Sequence, residues 1–254
     1  MRIILRARDL HKFFGNIHAV NAVNFDLYDG EILAIVGPNG AGKTTLLNLI
    51  SGIISIDEGK IILFKDGEKI DITGRSVVDI NNLGIARAFQ IPNIYSSLSV
   101  ADNIRVSLIA RYKRHLVIKR RYMDFDEIEN KVIYLLDIFG LKEKASLSAD
   151  KLSHGEKKKL DIAIAFASEP NIILLDEPTA GLTNVEKVEI VKLIKELRNK
   201  QNLSFILVEH DLDVVRDVAD RVMVMYDGKV LALDEPEKVM SMPRVIEAYL
   251  GGAR

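Results

Sequence analysis

A glycine-rich segment between an apolar run and a helix-like segment constrains the fold of this chain more than any other feature. The pattern G-x-x-x-x-G-K-[ST] is matched by eight consecutive residues: Gly37, Pro38, Asn39, Gly40, Ala41, Gly42, Lys43 and Thr44. Before it, the run Ile32 to Val36 is apolar at every position, which is typical of a parallel strand buried on both faces. After it, Thr45 to Ile50 is predicted to be helical, with Ser51-Gly52 as its stop. The sequence therefore predicts a phosphate-binding loop at the edge of an α/β sheet.

The residue types of this loop fit the binding of a nucleoside triphosphate with magnesium. Glycines allow a tight turn whose backbone N–H groups point at phosphate oxygens, and the following helix adds the positive end of its dipole. In this arrangement Lys43 would reach the β- and γ-phosphates, Thr44 would bind Mg²⁺, and Thr45 would donate to the α-phosphate. The alternative is a chance glycine loop, which a random chain of this size contains at roughly the one-per-cent level.

A second apolar run, Ile172 to Leu175, ends in the acidic pair Asp176 and Glu177. In a parallel sheet both acids would lie at the carboxyl edge, where ligands bind and where the phosphate loop also lies. Asp176 would then hold the magnesium ion, directly or through water, and Glu177 would face the attacking water. The alternative is a solvated acidic turn before Pro178, which the phosphate loop disfavours.

Composition and charge limit what the rest of the chain can do. The 254 residues include no cysteine, which excludes disulfides, thiolate metal sites and thiol nucleophiles. The formal net charge of -1 gives no support to general nucleic-acid binding. No apolar stretch approaches the roughly 18 residues of a membrane-spanning helix, and Met1-Arg2-Ile3 leads into a strand-like pattern rather than a signal peptide. We expect a chain that is soluble by itself and recognises phosphate locally.

The pattern of apolar residues divides the chain into an α/β part and a helical insert. Strands are predicted over residues 3–28, 172–175, 205–208 and 222–225, with a hairpin over residues 59–69 around Asp66-Gly67. Roughly between Val100 and Leu152, long amphipathic stretches replace the strand signals. This insert contains a basic segment with Arg111, Lys113, Arg114, Lys119, Arg120 and Arg121.

The five residues Leu152-Ser153-His154-Gly155-Glu156 complete a set of motifs that resembles the ATP-binding cassette (ABC) ATPases over nearly the whole chain. The family usually has Leu-Ser-Gly-Gly-Gln at this signature, so His154 and Glu156 depart from it while Ser153 and Gly155 are kept. The resemblance implies that Ser153 and Gly155 contact the γ-phosphate of ATP held by the opposite subunit. By residue chemistry, Ser153 can cap the helix that follows, whose N-terminal N–H groups form an anion site.

Three further positions are similar to functional residues of this family, and a fourth departs from it. Phe14 resembles the aromatic residue that stacks on adenine, although a lone phenylalanine is more often a core residue. Gln90 resembles the glutamine that touches Mg²⁺ and the attacking water and joins the catalytic core to the helical insert. His210 resembles the histidine that contacts the γ-phosphate. Thr183 replaces the more common aspartate of the loop after Glu177.

The run Lys157, Lys158 and Lys159 lies in the predicted first turn of the helix after the signature, where the helix dipole disfavours cations. We hypothesise that this run faces ATP phosphate across a dimer interface. The alternative is a solvated surface run.

The resemblance implies an α/β fold with a P-loop NTPase core and a mostly parallel sheet, an N-terminal antiparallel β subdomain and an inserted α-helical subdomain. We place the catalytic core at residues 1–90 and 160–254, and the helical subdomain with the signature at 91–159, within a single nucleotide-binding domain. The implied reaction is hydrolysis of ATP to ADP and phosphate. Its implied catalytic residues are Lys43, Gln90, Glu177 and His210, and its implied Mg²⁺ ligands are Thr44, Gln90 and Asp176.

The implied partners are a second ATPase subunit, identical or different, transmembrane permease subunits and, indirectly, an external solute-binding protein, but no nucleic acid. Within the family, Gly84 to Gln90, the basic insert and the ending at 247–252 look like the branched-chain amino-acid importer type. This resemblance implies a place on the cytoplasmic face of the cell membrane, bound through the permeases. The cargo stays open, because a subunit for urea or a lipid, or a cassette ATPase without a permease as in iron–sulfur cluster assembly, would carry the same motifs.

Overall fold

The computed structural model describes residues 2–115 and 125–251, and every element named below lies in these two ranges. The strands are β1 (Ile3–Phe14), β2 (Ile17–Tyr28), β3 (Ile32–Val36), β4 (Glu58–Lys65), β5 (Glu68–Asp71), β6 (Ile85–Ala88), β7 (Ile172–Asp176), β8 (Ser204–Val208), β9 (Arg221–Tyr226) and β10 (Lys229–Asp234). The α-helices are α1 (Lys43–Ile50), α2 (Val77–Asn82), α3 (Val100–His115), α4 (Phe125–Ile138), α5 (His154–Phe166), α6 (Asn184–Gln201), α7 (Leu212–Val218), α8 (Pro236–Met240) and α9 (Pro243–Gly251).

A six-stranded sheet forms the centre of the fold, in the order β10-β9-β3-β8-β7-β6. Five of its strands run parallel, and β10 is antiparallel to β9. Every residue of β3, β7 and β8 is buried, as their apolar sequences predict for strands covered on both faces. The predicted mostly parallel sheet is confirmed. The strands β7, β8 and β9 are each longer than predicted, by one residue at one or both ends.

The register of the central strands brings three loops to one edge of this sheet. Val208 pairs with Ile35 on one side and with Asp176 on the other. β3 therefore ends at the phosphate loop and β7 at the acidic pair, while β8 lies between them and leads to His210. Because ligands of such sheets bind at the carboxyl ends of the strands, the register explains why these distant segments meet.

A four-stranded antiparallel sheet, in the order β2-β1-β4-β5, confirms the predicted N-terminal β subdomain. The turn at Asp66-Gly67 joins β4 to β5, and both residues have positive φ angles of 51° and 83°. On β2, Val23, Phe25 and Leu27 are buried. They join an apolar cluster with residues of α1 and the central strands, so this sheet packs beside the phosphate loop.

The predicted helical insert is confirmed as a lobe of α3, α4, two 3₁₀ turns and α5. One apolar cluster contains both lobe residues and central-strand residues, so the lobe is packed onto the sheet. The boundary predicted at residue 159 falls inside α5, and the division at 91–159 stays a prediction. The basic residues Lys119, Arg120 and Arg121 lie outside the described residues. Within the described ranges no helix has the length and apolar character needed to cross a membrane.

Candidate active site

The phosphate loop leads into α1 with its lysine folded back onto the loop. α1 begins at Lys43, two residues earlier than predicted, because the polar residues of its first turn give no apolar signal. Lys43 Nζ donates to the carbonyl oxygens of Gly37, at 2.8 Å, and Pro38, at 2.9 Å. Burial lowers the pKa of Lys43, and the carboxylates of Glu177 and Asp176 oppose this effect. The ammonium group therefore lies inside the loop and within electrostatic reach of both acids.

Two glycines of this loop are required by backbone angle and by space. Gly42 precedes α1 at φ 94°, and a Cβ there would lie 2.2 Å from the carbonyl oxygen of Ala19 on β2. A Cβ on Gly37, at φ 150°, would lie 2.1 Å from the carbonyl oxygen of Met225 on β9. Among residues 2–115 and 125–251, no side chain caps the N-terminus of α1 with a hydrogen bond. Its first N–H groups are therefore left for an anion, as phosphate binding at a helix N-terminus requires.

Two oxygen atoms on different elements form a candidate magnesium site. Thr44 Oγ1 lies 3.5 Å from Asp176 Oδ1, a separation that an octahedral ion with bonds of about 2.0–2.1 Å can bridge directly or through water. Hydroxyl and carboxylate oxygens are the donors that Mg²⁺ prefers, so the residues present fit this ion. The side chain of Gln90, the third predicted ligand, is bonded to the neighbouring Glu177 instead.

Arg87 on β6 is a site residue that the sequence analysis missed. Its Nη2 lies 2.8 Å from Asp176 Oδ2, and the two side chains are only 6% and 5% exposed. Its Nη1 donates to Asn48 Oδ1 and Ser51 Oγ. Burial lowers the pKa of Arg87, and Asp176 opposes this effect. One oxygen of Asp176 is thus held by arginine, while the other faces Thr44. The available signal was a charged residue in the middle of an apolar strand.

Glu177 joins two residues that were predicted from distant parts of the sequence. Its Oε1 lies 2.8 Å from His210 Nε2, and its Oε2 accepts a 2.6 Å hydrogen bond from Gln90 Nε2. The backbone of Glu177 has φ 48°, which is uncommon for a residue other than glycine. Its N–H donates to the carbonyl oxygen of Val208 and so holds this conformation. The side chain is 18% exposed, so its carboxylate is fixed on two sides yet open to water.

Glu209, which was also missed, fixes the loop that follows β7. It is 2% exposed, and its Oε1 accepts hydrogen bonds from the N–H of Thr179, at 3.0 Å, and from the Thr179 hydroxyl, at 2.6 Å. Its Oε2 accepts a 3.0 Å hydrogen bond from the N–H of His210. No local pattern marks Glu209, because its main partner is 30 residues away in sequence.

The signature residues lie at the start of α5, and the predicted capping role of Ser153 is confirmed. Ser153 Oγ accepts a hydrogen bond from the N–H of Glu156, and Glu156 Oε2 accepts one from the N–H of Ser153, which completes a capping box. The N–H of Gly155 donates to Glu186 Oε1 at 3.3 Å, and Glu186 also caps α6 together with Thr183. Within residues 2–115 and 125–251, no hydrogen bond joins Ser153 or Gly155 to the phosphate loop of the same chain.

The three lysines after the signature lie in different environments. For Lys158, both the predicted contact with ATP phosphate across a dimer interface and the alternative of a solvated surface position are wrong. Lys158 is 2% exposed and contacts the backbone carbonyl oxygens of Gln90 and Glu177. Lys159 pairs with Glu189 on α6 at 2.6 Å. The physical reason is helical periodicity, since consecutive residues of a helix point in different directions and only Lys158 falls on the buried face. For Lys157 the hypothesis stays a prediction.

Phe14 lies at the end of β1 with 49% of its surface exposed, so it is not a core residue. The Nζ atom of Lys12 lies 5.6 Å from the ring centroid and also pairs with Asp57 at 2.7 Å. The neighbouring strand of this hairpin, β2, contacts the phosphate loop where Ala19 meets Gly42. A flat, accessible aromatic face on this hairpin is suited to stacking on a base.

The fold and the site define a P-loop ATPase of the ATP-binding cassette class. A family model described as ABC transporter matches residues 20–180, and a model described as branched-chain amino acid ATP-binding cassette transporter matches residues 229–254. The chain therefore belongs to the ABC transporter family.

Individual relatives agree with this membership along the full chain. A probable branched-chain amino acid transport ATP-binding protein of Archaeoglobus fulgidus is 36% identical over 250 residues, which cover 98% of this chain and 95% of that protein. The ADP conformation of an ATP-binding cassette of an ABC transporter superposes with a TM-score of 0.86 at 30% identity, covering 99% and 100% of the two chains. A dimeric cassette in a post-hydrolysis state, bound to ADP and Pi, has a TM-score of 0.76 at 27% identity, with coverage of 92% and 99%. The predicted fold class is confirmed by these structures.

Proposed function

We propose that this chain is the ATP-hydrolysing subunit of an importer for branched-chain amino acids, bound through permease subunits to the cytoplasmic face of the membrane. The observation that carries the proposal is the Glu177 carboxylate, held by Gln90 and His210 at the sheet edge where the phosphate loop lies. The cargo is supported by the name of the full-length relative and by the family match over residues 229–254.

Catalysis at this site would rest on positioning and charge neutralisation. Lys43 would leave the carbonyl oxygens of its loop and bind the β- and γ-phosphates, while Thr45 donates to the α-phosphate and Phe14 stacks on adenine. Thr44 and Asp176 would hold Mg²⁺, which supplies charge neutralisation on the phosphates when bound.

The catalytic step itself would depend on the carboxylate of Glu177. Its exposed face would accept a proton from the attacking water as the bond to the γ-phosphorus forms and the bond to the β-phosphate oxygen breaks. Gln90 would hold this water in place, and His210 would keep the carboxylate oriented and contact the γ-phosphate. Because both side chains already contact the Glu177 carboxylate, little rearrangement of the three groups is needed.

A second ATPase subunit, identical or different, would complete each site. Ser153 Oγ and the Gly155 N–H lie at the start of α5, and neither bonds to the phosphate loop of its own chain within the described residues. Such donors would serve ATP held by the opposite subunit, in a dimer with two ATP molecules between the chains. The dimeric relative described above supports this arrangement.

A groove next to Gln90 is suited to contact with a permease, and the external solute-binding protein would then be reached only indirectly. The groove has a cavity volume of about 280 Å³ and lies between α2, β6 and the lobe helices. Its rim includes the exposed apolar residues Val77 and Val78, at 46% and 45% exposure, and Phe89, the neighbour of Gln90. A segment pressed into this groove would therefore act on the chain just before Gln90.

Replacement of Glu177 by glutamine tests the catalytic part of this proposal. The change keeps the shape of the side chain and removes the proton acceptor, so ATP hydrolysis should fall by about 10²- to 10⁴-fold. Affinity for ATP with Mg²⁺ should stay within about threefold. Glu237→Gln, at an 83% exposed side chain, is the control and should keep the full rate. A Glu177→Gln protein with more than a tenth of the normal rate would refute the assignment.

Reconstitution tests the cargo and the partners. The chain should co-purify with membrane permease subunits, and the complex in vesicles should import leucine, isoleucine or valine only when ATP and a solute-binding protein are supplied. Uptake of urea instead would refute the cargo. A chain that co-purifies with no membrane protein would refute the permease association.

A further inference from the structure

Two charged residues of α5, Lys158 and Asp161, are buried where the helical lobe meets the catalytic core. They are 2% and 3% exposed, and their spacing of three residues puts them on one face of the helix. Burying a charged side chain is costly unless hydrogen bonds and opposite charges compensate for the lost water. Their specific contacts therefore have to explain why charged residues occupy these positions.

Lys158 bonds to the main chain of both catalytic segments. Its Nζ donates to the carbonyl oxygen of Gln90 and, at 3.2 Å, to the carbonyl oxygen of Glu177. Burial lowers the pKa of Lys158, and the nearby carboxylates of Asp161 and Glu209 oppose this effect. A lysine suits this place because its ammonium group has three donors and can bridge oxygens on separate loops.

Asp161 binds two backbone N–H groups that bracket Gln90. Its Oδ2 accepts a 2.8 Å hydrogen bond from the N–H of Phe89, and its Oδ1 accepts a 3.0 Å hydrogen bond from the N–H of Asn93. We call residues 89–93 the Q-loop segment. Both carboxylate oxygens are used, so an asparagine here would have to turn its own N–H₂ group toward one of these donors.

We propose that Lys158 and Asp161 are positioning residues through which the signature sets the geometry of Gln90 and Glu177 in the same chain. The inference rests on the proposed function, in which the signature contacts ATP held by a second subunit. It adds a mechanical link along α5 by which that contact reaches the catalytic residues of the same chain.

The continuity of α5 supplies this link. The helix runs without a break from His154 to Phe166, so the six residue steps from Gly155 to Asp161 span about 9 Å of one rigid rod. A phosphate contact that shifts Gly155 therefore also shifts Lys158, together with the two carbonyl oxygens that Lys158 holds. Without such a contact, the same bonds hold the Q-loop segment in its present position.

The first test is the replacement of Lys158 by methionine, which keeps the length of the side chain and removes its donors. The kcat for ATP should fall roughly 10- to 100-fold, the loss expected for a buried charged hydrogen bond, whereas KM should change less than about threefold. Lys158→Arg should recover most of the lost kcat, because it restores a charged multiple donor. Lys159→Met is the matched control, since Lys159 pairs with a surface glutamate, and it should keep kcat within about twofold.

Asp161→Asn provides a second variant in case Lys158→Met does not fold. It keeps the shape of the side chain but leaves one N–H of the Q-loop segment facing another donor. It should lower kcat with little change in KM, as Lys158→Met does. A kcat within threefold of normal in whichever of these two proteins folds would overturn the inference.

Coupling to the signature separates a positioning role from a structural one. If the signature acts through Lys158, the double variant Ser153→Ala, Lys158→Met should have a kcat within about threefold of the slower single variant. If the double variant instead loses kcat by the product of the two single-variant losses, the two residues act independently, and this result would overturn the inference.

Glu177→Gln separates the two proposals, because persistent hydrolysis in that variant would refute the proposed site and the inference with it. An inactive Glu177→Gln protein with normal Lys158→Met kinetics would refute the inference alone.

Discussion

The phosphate loop and the signature loop both precede a helix and both carry residues suited to binding phosphate, but their backbone donors are in different states. At the phosphate loop, Gly42 precedes α1, and no side chain of the described residues caps this helix end with a hydrogen bond. At the signature loop, the side chains of Ser153 and Glu156 close a capping box, and the carboxylate of Glu186 accepts the N–H of Gly155. The first loop is open to an anion, whereas the second has the N–H groups of Gly155 and Glu156 occupied within the chain.

This difference suggests separate functions for the two loops, with nucleotide binding at the phosphate loop and association with a second subunit at the signature loop. A chain with an open phosphate loop can bind nucleotide without breaking a hydrogen bond of the backbone N–H groups at that helix end, although the Lys43 side chain has to move. A signature loop with occupied donors stays satisfied in the absence of a partner, and it has to exchange the Glu186 bond for a phosphate when a second subunit presents one. We therefore expect nucleotide binding to tolerate changes at the signature, and ATP-dependent association to depend on them.

The largest effect is expected from Gly42→Ala. Alanine at φ 94° is strained, and its Cβ would overlap the backbone carbonyl oxygen of Ala19, which cannot move without shifting β2. ATP affinity should fall by at least about 1,000-fold, as measured by titration with a fluorescent ATP analogue. Thermal unfolding of the same protein would show how much of the loss is due to folding.

Gly155→Ala is the matched change at the other loop. Its Cβ would meet the end of the Glu186 side chain, at 2.8 Å from Oε1, and this flexible group can turn away. Nucleotide affinity should stay within about threefold, while ATP-dependent association is lost. If Gly155→Ala lowers nucleotide affinity as much as Gly42→Ala does, the two loops do not differ as we propose.

The next largest effect is expected in the pH dependence of the free energy of unfolding, through Asp161 on α5. The helix after the phosphate loop, α1, contains no acidic residue. Burial raises the pKa of Asp161 from 3.8 to about 6, so the folded protein retains a proton that the unfolded chain loses between pH 4 and 6. The contribution of Asp161 to stability therefore falls as pH rises through this window, by up to about 3 kcal/mol. Chemical denaturation at several pH values should show the free energy of unfolding, relative to that of Asp161→Asn, decreasing from pH 4 to 6.5. A constant difference would contradict the prediction.

Local sequence was sufficient for the parts of the site that one segment supplies. The phosphate loop, the apolar strand ending at Asp176 and the Ser153 cap each follow from a pattern of a few adjacent residues. The roles of Gln90 and His210 came from family resemblance, because a lone glutamine or histidine carries no such pattern.

The residues that were missed depend on contacts between distant segments. Arg87 and Glu209 are buried by partners on other elements. The inward position of Lys158 follows from a helical period that also buries Gly155, Ile162 and Ala165, but three adjacent lysines hide that period in the sequence. The helical spacing of residues 155, 158, 162 and 165 was the feature of the sequence that could have predicted the burial of Lys158.

A smaller effect is expected when the purified chain is diluted. Because neither Ser153 nor Gly155 bonds to the phosphate loop of its own chain in the described residues, hydrolysis should require two chains. ATPase activity per chain should rise by about tenfold as the protein concentration passes through the dissociation constant of the dimer. Activity per chain that is constant over a hundredfold dilution, with the protein shown to be monomeric by light scattering, would mean that one chain completes the site alone.

The smallest effect is expected from Glu186→Gln, which acts on the contact that distinguishes the two loops. Glutamine keeps an oxygen for capping α6 at Thr183 but removes the negative charge beside the N–H of Gly155. An incoming γ-phosphate would then meet less repulsion, partly screened by salt, so ATP-dependent association should strengthen by about threefold. The association would be measured in a Glu177→Gln background, which prevents hydrolysis, with Glu189→Gln on the same helix as the control. Weaker association would mean that the charge of Glu186 supports the signature rather than competing with phosphate, and the contrast between an open and an occupied loop would then not control assembly.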